Sequence, residues 1–462
     1  MESRAATRRR LFAGSGIPHQ ALVALLRRIR ESPDIDAATS VTRAGLRASI
    51  DSLWGELGQA EAAPLSNGGH FDWHCASLPK LFQHAVATSP SLAEILRTAW
   101  ARSPCTQIAP WSLICYCDEI VPGSVLRLDN KRKLLCVYVS IRELGPELLS
   151  RDALWFPLAV IRSSQAKLVR GGASACIKLV LRRLFVEDAL ATRGITVDAR
   201  IPGTRFVTLY LKLGNFVADG DALRAAWSCK GASGKRPCIM CKNVVSEKVE
   251  SDYVVDISCS NPDAFDVCTD EDMWEKADTL TAAAGVATRQ AFERQEKMLG
   301  LTFNPEGLLW DKELRRHVKP AACITFDSMH ALLSNGLAQT ETALLLEALR
   351  GVGVKHEHIR VFFSANWHVC KCHGSPSMLL ESFSEAREKA WKEGNGFKAM
   401  ASEMLLLFPV FQFFLFKIVK PRGLLPEHLA SYAALGCVVS NVRDGKAGGQ
   451  QRRAEERHPM AR

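Results

Sequence analysis

Several absences narrow the reading of this 462-residue chain before anything positive is weighed. No G-x-x-x-x-G-K-[ST] occurs. Lys230-Gly-Ala-Ser-Gly-Lys235 comes nearest, but Arg236 and Pro237 follow it, which excludes a nucleotide-binding P-loop and leaves open backbone contact with a nucleic-acid phosphate. There is no nucleophile elbow, no H-E-x-x-H and no dinucleotide fingerprint, so a hydrolase unrelated to DNA finds no support. No second C-x-x-C accompanies Cys238-Ile-Met-Cys241, and no internal repeat is visible. No apolar run reaches the ~20 residues that span a bilayer. The most apolar stretch, 404–419 (MLLLFPVFQFFLFKIV), is interrupted by Pro409, Gln412 and Lys417, and is expected to be a core helix rather than a membrane span. No secretory signal is seen. The 15 cysteines are odd in number and irregularly spaced, which predicts a reduced compartment, nuclear or cytoplasmic, rather than a disulfide scaffold.

What is present describes a folded, multidomain chain. Hydrophobic residues make up 47%, and 59 Lys+Arg against 49 Asp+Glu leave a net charge of +10. A basic excess of this size is compatible with a nucleic-acid partner without requiring one. The opening MESRAATRRRLF reads as a disordered basic tail, with a transit peptide as the alternative.

Residues 1–104 read as mostly helical: 19–30 (HQALVALLRRIR), 42–57 and 92–101 carry apolar residues at helical spacing, and 65–69 (LSNGG) is a loop. From Pro110 the period changes. Residues 111–117 (WSLICYC), 133–141 (KLLCVYVSI) and 155–162 (WFPLAVIR) predict three strands, 175–185 a helix, 206–216 a fourth strand and 222–227 a short helix. This is an α/β order. An insertion at 231–330 and a helical region at 331–440 follow. The tail 441–462, which includes RDGKAGGQQRRAEERHPMAR, cannot form a core and is expected to be disordered.

Two features carry chemistry. The first and fourth strands both run into carboxylates: Asp118 and Glu119 after the first, Asp219 and Asp221 after the fourth. Where such strands lie side by side, as in a ribonuclease-H-like sheet, the acids converge, and close carboxylates repel unless a divalent cation lies between them. Two metals can then activate an attacking oxygen and stabilise the leaving oxygen of a phosphodiester. Ordinary strand-end acids are the competing explanation. Asp219 stands first after the strand, where a helix N-cap also belongs, and is preferred to Asp221. The second feature is Cys238-x-x-Cys241, which puts two thiolates on one tight turn as tetrahedral zinc requires. It is half a site. The partners with suitable chemistry are His330 and the cluster His368, Cys370, Cys372 and His373; otherwise the pair is two free thiols in a loop.

The segments Cys117-Asp-Glu-Ile-Val-Pro-Gly123 with 131–144, Trp155-Phe-Pro-Leu158, Ala218-Asp219, Lys230-Gly-Ala-Ser-Gly234 through Cys238-x-x-Cys241-x-Asn243, Asp327-Ser-Met-His330 and Ala401-Ser-Glu403-Met404 occur in this order over most of 105–436. In that order the chain resembles the transposase-like proteins numerous in dinoflagellate genomes, which are similar to distant members of the cut-and-paste class that includes the CACTA and Chapaev transposases. The resemblance implies a ribonuclease-H-like mixed sheet at 105–230 with a zinc-knuckle insertion, DNA as partner, a homo-oligomer as one arrangement, and a DDE triad working with magnesium. It puts the first acid on Asp118 and the second on Asp219, with Asp221 beside it. It puts the zinc ligands on Cys238, Cys241 and His330. The third acid, a glutamate on a late helix, has no counterpart: the family-like text fades after Gly436, and Glu403, Glu341 and Glu347 are fallbacks without a motif. The expectation is therefore a truncated or decayed transposase-derived nuclease and strand-transferase, weakly active or inactive. The alternative is a zinc-stabilised DNA-binding protein of the same fold that does not cut.

Overall fold

The structure, a computed structural model, describes residues 55–120, 133–201, 204–247, 254–366, 376–391 and 397–443. The helix expected at 19–30, most of that at 42–57, the cluster at 368–373 and nearly all of the basic tail lie outside the described residues. The chain is mixed α/β and divides after Thr325 into two compact units.

The first unit opens with an antiparallel hairpin, β1 (Gly58–Pro64) and β2 (His70–Ala76), that the helical pattern did not predict. Its turn is the LSNGG loop, closed by the Leu65 amide donating to the Gly69 carbonyl at 2.8 Å. Strand β1, GQAEAAP, has no β-branched residue, so packing rather than propensity makes it a strand. Trp73 in β2 is buried and donates from Nε1 to the Val160 carbonyl at 3.0 Å. Helices α1 (Leu78–Thr88) and α2 (Pro90–Arg102) follow. In α2, Ser89 caps the Leu92 amide and Leu92, Leu96 and Ala99 form the buried stripe, as the sequence predicts for this segment.

The organising element is a five-stranded sheet. It contains β3 (Trp111–Ile120), β4 (Leu134–Ile141), β5 (Phe156–Arg162), β8 (Leu211–Ala218) and β11 (Ile324–Phe326), in the order β11-β8-β3-β4-β5. Strand β4 is antiparallel to both β3 and β5, whereas β3 and β8 are parallel, so the sheet is mixed. The neighbouring parallel pair is the one expected from the two acid-terminated strands. One detail differs. The run 206–216 is not a single strand: β7 (Thr204–Leu209) pairs with β6 (Ile195–Ile201) in a separate hairpin, and only β8 joins the sheet. The break falls at Tyr210, whose backbone N–H and C=O both engage the Cys105 thiol at 3.2 Å.

Between β5 and β6 runs α3 (Gly172–Arg182), and after β8 comes α4 (Gly220–Trp227). The two are pinned by buried Ser174, which donates to the Ala226 carbonyl at 2.6 Å and accepts from the Leu308 amide at 2.9 Å. Trp227 packs edge-on against Phe216 of β8 with centroids 5.6 Å apart. A short parallel pair, β9 (Val244–Val245) and β10 (Val255–Asp256), precedes α5 (Asp270–Ala283) and α6 (Arg289–Leu299). Thr269 and Asp272 close a capping box on α5, and Gly300 ends α6 at φ +72°.

The second unit contains α7 (Leu337–Gly351), α8 (His356–Ala365), α9 (Ala401–Phe414) and α10 (Pro426–Arg443) around an aromatic core. By length and composition Ala401–Arg422 could cross a membrane. Its Leu407, Phe408, Phe411, Phe414 and Val419 are nonetheless fully buried within the unit, and Phe408 stacks on Tyr432 at 4.3 Å, packing that favours a core helix.

Asp188 lies in the turn after α3, where its Oδ2 is buried without a hydrogen-bond partner among the described residues. Burial, against the opposing Arg183 charge, pushes its carboxyl up to about 6. An acid raised in the folded state favours the protonated form, so the penalty is absent below pH ~4, grows through ~6 and is complete above it. Asp188→Asn should therefore stabilise the protein near neutral pH by roughly 1–2 kcal/mol, allowing for solvent screening, and have little effect near pH 4. Urea unfolding at the two pH values checks this.

Candidate functional site

The two acids are brought level by a β-bulge. Strands β3 and β8 pair as Leu113↔Leu213, then Ile114↔Asn215, so Gly214 is the extra residue. Beyond it the paired register ends at Cys117↔Ala218, and Asp118 and Asp219 are the residues that follow immediately on the two chains. Without the bulge Asp118 would stand level with Ala218, and Asp219 would be carried toward the opposite face. Gly214 permits the bulge because a Cβ there would sit 2.6 Å from Ser112 Cβ.

Each carboxylate has one oxygen engaged by backbone. Asp118 Oδ1 accepts from the Glu119 amide at 2.7 Å, and its Oδ2 is 3.4 Å from the Tyr116 hydroxyl. Asp219 is the N-cap of α4, its Oδ1 accepting from the Ala222 amide at 2.6 Å. The charges of both reach the buried Cys117 thiol. Burial pushes that thiol well above its ordinary range, with Cys115, Asp118, Cys136 and Asp219 adding to the effect in that order. Asp221 lies one residue into α4, is exposed and pairs with Arg224.

Tyr116 lies beside Asp118, and two further half-buried rings, Tyr138 and Trp155, gather around Tyr116. The motif reading did not single them out. Tyr116 faces Tyr138 across the β3–β4 register, with centroids 6.5 Å apart, and meets Trp155 edge-on at 6.0 Å. Burial, then Cys136 and Asp118, push the Tyr138 phenol up to about 12, so it stays a neutral donor at neutral pH. The period-2 spacing of Tyr116 and Asp118 was the available signal.

The fallback acids have local roles in the second unit. Glu403 accepts from the Met400 amide at 2.8 Å and so caps its own helix. Glu347 lies 3.9 Å from Arg350. Glu341 is near enough to raise the buried Tyr432 phenol, whose main cause is burial.

Cys238 and Cys241 lie in the loop after α4. Val267 bridges Cys241, and the Cys268 amide donates to the Met240 carbonyl at 2.8 Å, which sets Cys268 beside the knuckle. Burial and then the adjoining Cys238 thiol push Cys241 up to about 12, with Cys268 and Asp266 acting in the same direction. Cys229, just past the left-handed Ser228 that ends α4, is pushed up to about 12 by burial, with Cys268 and Cys238 adding and Lys276 opposing. His330 belongs to the second unit, where its Nδ1 is 2.7 Å from Asp327 Oδ2. Among the described residues no three His, Cys, Asp or Glu side chains are gathered at metal-ligand distance, and the described cysteines are free thiols. Comparison with protein-family models and with curated proteins found no match to this chain.

Proposed function

We propose that the chain is a DNA-binding protein on a transposase-derived, ribonuclease-H-like fold, with a reduced active site in which Asp118 and Asp219 hold one magnesium ion. The observation that carries this reading is the bulged parallel register that levels the two acids. In a ribonuclease-H-like sheet the first and fourth strands lie side by side, and β3 and β8 are the first and fourth strands of this sheet. With Oδ1 of each acid held by a backbone amide and Asp118 Oδ2 also accepting a long hydrogen bond from the Tyr116 hydroxyl, the acceptor capacity left on the two Oδ2 atoms suits one hard cation that keeps several waters, rather than two ions. A divalent cation there would supply Lewis-acid stabilisation to a phosphodiester oxygen. Asp118 and Asp219 would orient the ion against the sheet end. The basic excess and the Tyr116, Tyr138 and Trp155 rings would take the DNA backbone and an unpaired base. The Cys238/Cys241 knuckle is read as the half-site of a structural zinc.

Cleavage should be weak or absent, because no third acid joins this pair among the described residues. A salt titration of binding to a labelled single strand tests the DNA reading. Affinity should fall steeply with salt, and Trp155→Ala should weaken it by about 1–3 kcal/mol. No binding even at low salt would end the reading. Rapid magnesium-dependent cutting would end the claim of a reduced site.

A further inference from the structure

We propose that Cys229, Cys238, Cys241 and Cys268 together form a four-thiolate zinc site, Cys229 and Cys268 taking the ligand positions that the family resemblance would give to His330 and another side chain. The proposal is independent of the DNA reading, since zinc content is measured on the chain alone.

Three backbone segments converge, and each is fixed by hydrogen bonds that do not depend on a metal. Cys229 leaves α4 and bridges Leu301, while the Lys230 amide donates to the Gly300 carbonyl at 2.9 Å. The chain then loops to the knuckle, held by the Lys235 amide on the Lys297 carbonyl at 2.8 Å. Opposite the knuckle runs the segment that bears Cys268. It is clamped on both sides of the Cys241–Val267 bridge: the Cys268 amide bonds to the Met240 carbonyl, and the Lys242 amide to the Asp266 carbonyl at 2.9 Å. Asn243 locks the same segment from its side chain, donating to the Ala264 carbonyl and accepting from the Asp266 amide, each at 2.8 Å.

The environment suits zinc thiolates. Cys229 and Cys238 line one small pocket together with Met273, Leu301, Leu309 and Lys276, and the Lys276 ammonium lies 3.2 Å from Cys268 Sγ. Four thiolates around Zn²⁺ carry a net double negative charge. An apolar wall that limits water and an ammonium that donates to a ligand sulfur are the outer-shell features such a centre uses. The sulfurs do not stand at ligand distance in the structure. Binding an ion would therefore require the four side chains to reorient toward one point. The spacing, C-x8-C-x2-C-x26-C, hides two of the ligands from a search for paired C-x-x-C motifs.

The test is metal analysis with X-ray absorption on the purified full chain. The expected result is one zinc per chain in an all-sulfur shell at ~2.3 Å. Cys229→Ser and Cys268→Ser should each release the ion to a colorimetric chelator far faster than wild type, while His330→Ala releases it at the wild-type rate. Imidazole scattering, or loss of zinc on His330→Ala with retention in Cys229→Ser, would overturn the assignment. So would a metal-free protein in which Cys238 and Cys241 are joined as a disulfide. Because absorption is read on the wild-type chain, the assignment stays testable even if a cysteine variant fails to fold.

Discussion

Gly214→Val should destabilise the first unit by about 2–3 kcal/mol or more and abolish divalent-cation binding at Asp118 and Asp219. A side chain at Gly214 meets Ser112 Cβ at 2.6 Å, on the facing central strand. Neither atom can swing away: the Cβ positions are set by the backbone, and β3 is hydrogen-bonded on both edges. The strands would have to separate or lose the bulge, and losing the bulge moves Asp219 out of level with Asp118. Gly220→Ala is the control. A Cβ there meets only the Arg224 guanidinium, at 3.6 Å, so the change should cost less than ~0.5 kcal/mol. Denaturant midpoints for the two variants give the comparison. Equal stabilities would show that the strand pair is looser than the register implies.

The second large effect is expected at Trp227. The ring is 1% exposed, closes the interface of α4 with the sheet and packs edge-on to Phe216. Trp227→Ala should cost about 3–5 kcal/mol through the cavity it leaves. Its indole Nε1 is buried with no hydrogen-bond partner among the described residues. Trp227→Phe gives up that unsatisfied donor along with part of the ring, so its cost should be less than half that of the alanine variant. Because Asp219 caps the same helix, the alanine variant should also weaken cation binding, whereas a purely local cavity would leave it unchanged.

The parts of this fold that were legible in the sequence are those written within one segment. Strands β3, β4 and β5 are runs of apolar and β-branched residues, and α2 carries its own cap and stripe. The parallel partnership of β3 with β8 was readable because both strands end on acids. What could not be read belongs to pairs of segments. The break at Tyr210 has no glycine or proline to announce it; it follows from a thiol on a distant loop that engages both backbone groups of Tyr210. The bulge at Gly214 exists only relative to Ser112. The β1 strand lacks strand-forming residues and depends on its partner, although the alternation of Phe71, Trp73 and Cys75 in β2 was available. At the candidate sites, local pattern singled out Asp118, Asp219, Cys238 and Cys241. Cys229 and Cys268 come to the knuckle through pairing with residues far along the chain, and isolated cysteines give no local signal.

Asp118 and Asp219 are proposed to form one shared divalent-cation site. Titration of Mn²⁺, a spectroscopically visible substitute for magnesium, into the purified chain, followed by electron paramagnetic resonance, tests this for wild type, Asp118→Asn and Asp219→Asn. One Mn²⁺ per chain is expected in wild type, with affinity lost in both variants and unchanged in Asp221→Asn. A wild-type chain that binds no ion, or an ion that survives both substitutions, would contradict it.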